Sequence, residues 1–460
     1  MLRSLGTVLA VRLRRWIPDP FVFAIALTIL TGLAAWGGTE ARAVTVLDAW
    51  YRGFWLLLEF GMQIVLVLAT GYAVALSPLA ARGIDRIAAR IHRPSRVYLA
   101  VLLIGPVLTL VSWGWVVVTA VLARELAARV RGIDYAYLTA CVFLSSWSWV
   151  CGLSSSIPLL LNTEGNFLVE AGLLPGTIGV EHTLGSTLNF AYLGLFALFI
   201  PWVTMALRPR TADAVPLETL RAEPENALTV REAAESSLLP GRALSDVLGH
   251  SSWLTGTMVL AGLAYLVRHL ALRGLDLDLN LMIFAFLLVG MALHRTPLRY
   301  VEAMRRACSN VSGILFQYPF YAGIMGIMMY TGLGAAIAGW IATRAAPESL
   351  PVLAQLVGAA VNFAIPSAGG EWAVVGPPLL EAVNTMTVPG TAEHLALVSR
   401  VAMAVAYGET STNLLQPFFL LVILPVMGAG VRLQARDVMG YLAPPFLVFY
   451  VVTAVLVTWG

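Results

Sequence analysis

Apolar stretches of about 17 to 28 residues recur along the chain from Pro20 to the C-terminus, each close to the roughly 20 residues with which an α-helix crosses a hydrocarbon core. Nine of them read as single crossings, over residues 20–36, 53–76, 135–161, 185–207, 252–272, 280–294, 309–333, 394–427 and 441–459. Two more stretches, 97–130 and 350–384, are interrupted near their middles by Trp113-Gly114-Trp115 and by Pro366-Ser367-Ala368-Gly369-Gly370. Non-helical backbone at membrane depth survives only where protein or a watery cavity satisfies its polar groups. Both stretches are therefore expected to be helical hairpins.

Loop charges orient these elements. Arg3, Arg12, Arg14 and Arg15 precede the first stretch, Arg82 to Arg96 follow the second, Arg124, Arg129 and Arg131 close the first hairpin, and further basic clusters stand at His294 to Arg306 and at Arg432 and Arg436. Excess positive charge marks the cytoplasmic side. This places the N-terminus in the cytoplasm, hairpin 97–130 on the cytoplasmic side and hairpin 350–384 on the outer side. The expectation is an all-α polytopic membrane protein of two inverted-topology repeats. The first repeat, 1–207, joins the second, 251–460, through a polar cytoplasmic linker at 208–250. Nothing resembling a small-residue cleavage site follows the basic N-terminus, so the first stretch is expected to stay as an uncleaved span.

Composition agrees with this picture: 59% of the 460 residues are hydrophobic and 12% charged, against roughly 25% charged in soluble domains. The net charge of +3 sits in short loops beside apolar spans, so a lipid bilayer rather than nucleic acid is the expected partner. Three cysteines, Cys141, Cys151 and Cys308, lie within or beside apolar segments and suggest inert packing rather than a disulfide framework.

A second pair of breaks gives candidate chemistry. Gly152-Leu153-Ser154-Ser155-Ser156 interrupts one apolar run and Gly408-Glu409-Thr410-Ser411-Thr412-Asn413 another, each followed by a proline. The whole pattern recurs about 255 residues apart. Paired discontinuous helices in two halves point to a transport site, because a helix broken after glycine offers free N–H groups and a positive dipole end to an anion. Ser154, Ser155, Ser156, Ser367, Gly369, Gly370, Thr410, Ser411, Thr412 and Asn413 are the substrate-binding candidates. The same small residues would also serve close helix packing.

Glu371 and Glu409 stand inside the breaks, and a carboxylate at bilayer depth costs at least about 2.5 kcal/mol without a partner or water. They are the ion-coupling candidates. Trp113, Gly114, Trp115, Pro366 and Trp372 would form the hairpin tips and cavity wall, with Gln63, Gln317 and Asn362 in support. Arg124, Glu125 and Arg129 read as the solvated or lipid-facing end of a hairpin arm. No arginine is obviously placed inside the spans, so neutral donors and helix ends are expected to recognise the anion. Zinc-protease, nucleophile-elbow and phosphate-loop patterns are absent from the sequence. Neither catalytic residues, a metal centre nor a cofactor are expected, only a coupling ion, sodium or proton.

Several runs together resemble the bacterial short-chain fatty acid transporter family: Arg15-Trp16-Ile17-Pro18-Asp19-Pro20-Phe21, Gly53-Phe54-Trp55 through Gly61-Met62-Gln63, Asn362-Phe363-Ala364-Ile365-Pro366-Ser367, Ala406-Tyr407-Gly408-Glu409, Gln416-Pro417-Phe418, and Arg436-Asp437-Val438-Met439-Gly440-Tyr441. That family is placed in the ion-transporter superfamily. The resemblance implies two re-entrant hairpins, a scaffold for homodimer contact and elevator-like movement. In related carriers Ser-Asn-Thr motifs at hairpin tips hold carboxylate and sodium, and Ser154–Ser156 and Thr410–Asn413 are their nearest equivalents here, in different order. Glu371 stands where the family also carries histidine, and Ala368 interrupts an otherwise all-glycine run.

The expected function is a secondary active transporter of short-chain monocarboxylates such as butyrate or acetoacetate across the bacterial inner membrane. Another organic-anion carrier, for instance of a dicarboxylate, is the alternative, followed by an intramembrane enzyme or a passive channel.

Overall fold

A computed structural model describes residues 20–111, 113–164, 166–221, 230–236, 243–274, 279–308 and 312–459. The basic N-terminal arginines, most of the Arg15–Phe21 run and parts of the 208–250 linker lie outside the described residues. The first half contains α1 (Pro20–Gly38), α2 (Ala43–Gly53), α3 (Leu58–Ala75), α4 (Pro78–Ala88), α5 (Pro94–Val111), α6 (Val116–Arg129), α7 (Tyr135–Ser145), α8 (Ser156–Leu161) and α9 (Thr187–Leu207). The second contains α10 (Ser252–Arg273), α11 (Leu279–His294), α12 (Pro297–Cys308), α13 (Ser312–Tyr330), α14 (Leu333–Ala342), α15 (Leu350–Val361), α16 (Ala368–Met386), α17 (Ala392–Thr412), α18 (Leu420–Met427) and α19 (Ala435–Trp459). Among the described residues the only β feature is an isolated bridge between Arg221 and Val431.

The breaks have local causes. After α7 the chain tightens into a 3₁₀ turn, Ser146–Cys151. The Ser145 and Ser146 hydroxyls donate back to Val142 O and Phe143 O, both at 2.7 Å. This three-residue spacing favours the tighter helix. α17 ends in a similar turn, Asn413–Leu415, and Pro417 lacks the N–H that would continue it. The pieces on either side are bent by 43°.

Both interrupted stretches fold as paired helices, α5 with α6 around Trp113–Trp115 and α15 with α16 around residues 362–367. Each first arm lies against the broken helix of its own half, and glycine permits the approach. A Cβ on Gly152 would stand 2.1 Å from Leu110 O, and one on Gly408 would stand 2.1 Å from Gln355 O. Each second arm crosses to the other half: α6 packs on α18, and α16 on α8. The two halves are thus interlocked.

Burial separates centre from rim. The stretch Tyr135–Leu161 is 89% buried, whereas α10 is 11% buried and exposes Trp253, Leu260 and Val267, the all-apolar surface a helix presents to lipid. Among the described residues six helical stretches are individually long and apolar enough to cross a membrane, and a seventh crossing follows if α17 and α18 count as one. One of the six is hairpin arm α5.

Three expectations on boundaries change. The stretch 53–76 is not one helix, because the chain turns at residues 54–57 between α2 and α3. Asn280–His294 is apolar but shorter than a full crossing. The last helix starts at Ala435, six residues before the expected 441. The described part of the linker is pinned rather than free: Tyr135 N–H donates to Val215 O at 3.0 Å, and Arg432 N–H to Leu220 O at 2.7 Å.

Candidate functional site

The three serines of the first break go to three environments. Ser154 Oγ accepts from the Trp113 N–H at 2.9 Å, and Leu153 N–H donates to Leu110 O at 2.8 Å, so the break holds the hairpin tip. Ser155 is buried and its hydroxyl has no hydrogen-bond partner. Ser156 is exposed. Ser148, which sequence reasoning missed, joins Thr109 Oγ1 at 2.8 Å. Its distance of some forty residues from its partner left no periodic signal.

The second break is organised around Asn362. Its amide donates to Glu409 O at 3.0 Å, Thr412 Oγ1 at 2.9 Å and Asn413 Oδ1 at 2.7 Å. Gln416, a further residue not singled out as a site candidate, donates to Asn413 Oδ1 at 2.9 Å and to Asn362 O at 3.3 Å. Ser411 Oγ turns back to Tyr407 O at 2.6 Å. Thr412 and Asn413 are therefore engaged in holding the second hairpin to the broken helix in this conformation, while Ser411 is engaged within α17 itself.

The tips carry different neighbours. Gly114 lets its turn approach Met282 and Val67, at 2.9 and 3.1 Å from a would-be Cβ, while Trp115 lies 6.5 Å from Phe286 between ring centres. At the second tip Pro366 and Trp372 are buried, Ser367 is half-buried in extended backbone, and Gly370 faces Met325. Gly369 opens onto space, with nothing within 4 Å of a Cβ there. The two glutamines do not join the breaks in an equivalent way. Gln63 donates to Asn280 at 3.0 Å, and Gln317 is buried with its carbonyl oxygen unpartnered.

Elements of both halves meet at one small cavity. Trp113 from the first tip, Ser146 and Trp149 from the first break, and Thr410, Asn413 and Phe419 from the second line a space of ≈ 10 Å³. That is about one water's room. Trp113 closes it edge-on against Phe419, with ring centres 5.7 Å apart.

Glu371 and Glu409 are both 0% exposed, and neither oxygen of either carboxyl has a hydrogen-bond partner. Glu409 stands close enough to act electrostatically on Glu371. None of the ion pairs among the described residues includes either of them. As two ionised carboxylates so deeply buried they would repel each other and forfeit hydration, which disfavours a state in which both carry an uncompensated charge.

Two arginines depart from the expectations. Arg124 is not merely solvated: its guanidinium donates to Val426 O at 2.5 Å and Ala429 O at 2.6 Å, capping α18 from the opposite half, where a cation suits the negative helix end. Arg400 stands within the stretch 394–427 and lines a cavity, although no arginine was expected to be placed there. Charge counting by loops used Arg124 only to orient the hairpin and passed over Arg400, which lies more than two turns inside α17.

An all-helical chain with several membrane-crossing helices and broken helices meeting at its centre is a multi-pass membrane protein. The family model described as "Short chain fatty acid transporter" matches residues 1–459, and the chain belongs to that family. A relative in Escherichia coli K12, provisionally described as a short-chain fatty acid transporter, is 35% identical over 93% of this chain and 92% of its own length. A Haemophilus influenzae relative with the same provisional description is 33% identical over 93% of each. Among solved structures, the YdaH transporter of Alcanivorax borkumensis aligns over 96% of this chain and 98% of its own at TM-score 0.43 and 18% identity. MtrF of Neisseria gonorrhoeae, one of a class of antimetabolite efflux pumps, aligns over 97% of both chains at TM-score 0.40 and 17% identity.

Proposed function

We propose that this protein is a secondary active carrier of short-chain monocarboxylates, moving anions such as butyrate or acetoacetate across the bacterial inner membrane together with a cation. The observation that carries the reading is the burial of Glu371 and Glu409, on the second hairpin and the second broken helix, at 0% exposure without hydrogen bonds and near enough to act on each other electrostatically. Membership of the short-chain fatty acid transporter family supplies the substrate class.

The chemistry follows from that pair. A carboxylate couple without hydrogen bonds accepts either a proton or a desolvated sodium ion, and loading it removes the repulsion that would otherwise hold α16 and α17 apart. Substrate needs a polar head site and an apolar wall. Ser155, Thr410 and Gly369 are the candidates least engaged elsewhere, and the Trp113–Phe419 contact must open to admit a tail. The reciprocal packing of α6 on α18 and α16 on α8 supports two inverted repeats, each with one re-entrant hairpin. It also supports alternating access in which a hairpin and its broken helix move as one body, elevator-like. Homodimer contact would fall to the peripheral helices.

Uptake of labelled butyrate into proteoliposomes under imposed proton or sodium gradients tests this reading. Accumulation above equilibrium with one of the gradients is expected, and accumulation with neither would refute coupled transport. Glu371→Gln and Glu409→Gln should each abolish the gradient dependence; an unchanged dependence in both would remove the pair from coupling.

A further inference from the structure

A second cavity, of ≈ 340 Å³, opens between the start of α9 and the first turns of α17. Its volume falls at the lower end of the range for small-molecule sites. Arg400 lines it and, among the described residues, enters no ion pair or hydrogen bond. Ser399 beside it is 5% exposed, with a hydroxyl that has no partner. Opposite them lies the first turn of α9, a helix of 21 residues capped by Ser186, whose hydroxyl accepts from Asn189 N–H at 3.2 Å. That cap leaves the Thr187 and Leu188 amides, which line the cavity, among the orphan donors of a helix start. Leu188, Ala396 and Met403 supply an apolar side. Glu181 also belongs to the lining, with a largely exposed carboxylate 3.7 Å from His182.

A free guanidinium, a buried unpartnered hydroxyl and a helix's positive end thus converge on a space with an apolar wall. Each favours an anion, and guanidinium is the group best matched to a carboxylate. We propose that this cavity is a second binding site for the short-chain carboxylate, with the head group on Arg400, Ser399 and the α9 amides and the alkyl tail on Leu188, Ala396 and Met403. The identity of the ligand rests on the transport reading above. Arg400 precedes Glu409 by nine residues on the same helix, about 13 Å at 1.5 Å per residue. The site would therefore gather substrate within reach of the central breaks before the halves rearrange.

Equilibrium dialysis of labelled butyrate against the purified full chain decides the matter. The wild type should bind saturably at two sites, and Arg400→Gln should lose about tenfold or more in affinity at one of them, the size of one charge-assisted hydrogen bond. Arg400→Lys, which keeps the charge, should recover part of the loss and shows that the fold is intact. Neutral butyramide should not compete. Butyrate binding unchanged in Arg400→Gln, or absent from the wild type, overturns the site. Displacement by inorganic phosphate as readily as by butyrate overturns its assignment to carboxylates. Saturable, Arg400-dependent binding without gradient-driven uptake would retire the transport reading and leave the site standing.

Discussion

Gly408→Ala is the most direct test of how the second hairpin is held. The added methyl would stand 2.1 Å from Gln355 O, with Ala359 N at 2.9 Å. Both obstacles are backbone of α15, so no side chain can swing aside, and the helices must separate by about 1 Å. Overpacking of this kind costs about 1–3 kcal/mol. The same separation stretches the Asn362 amide bonds, now 2.7 to 3.0 Å, each worth about 0.5–1.5 kcal/mol. A total of about 3–6 kcal/mol is expected, with the transition of the detergent-purified protein falling by roughly 5 °C and butyrate uptake lost. Gly369→Ala is the control, since its methyl meets nothing within 4 Å and should leave the transition in place. A Gly408→Ala protein with wild-type melting and uptake would refute the close hairpin contact.

Other consequences are equally concrete. Arg124→Ala removes two charged bonds to the end of α18 and should lower thermal stability by about 2–4 kcal/mol; an unchanged melting curve would show that the cap contributes nothing. Maleimide should label Cys308, which is exposed, and spare buried Cys141 and Cys151 until the protein is denatured, as peptide mass spectrometry can read. Ser154→Ala frees the Trp113 amide at the first hairpin tip and should speed amide exchange around residues 110–116, whereas Ser156→Ala, at an exposed position, should not; equal exchange in the two would undo the assignment of Ser154 as the tip's anchor.

Much of the architecture was legible in the order of residues. Apolar length marks helices because lipid leaves backbone polar groups no other partner, so α1, α9 and α10 stand within a few residues of their expected ranges. The breaks were legible too, since Pro366, Gly152 and the serine runs state locally that a helix cannot simply continue. Family membership followed from the same motifs. Ends fixed by distant packing were less readable: the turn at residues 54–57 contains no proline or glycine to announce it.

The candidate site divides along the same line. Sequence alone determined which residues could carry chemistry, because hydroxyls, amides and carboxyls are conspicuous in apolar runs, and Glu371 and Glu409 were identifiable from the cost of placing charge there. Tertiary structure alone decided which of them meet. It set Ser154 against Trp113, committed Thr412 and Asn413 to Asn362, left Ser156 outside, brought Glu409 near Glu371 from a different helix, and gave Arg124 and Arg400 partners or surroundings that loop counting could not anticipate. The physical reason is that helix formation and membrane partition are governed by neighbours a few residues away. The pairing of polar groups at the breaks depends on contacts between segments tens to hundreds of residues apart.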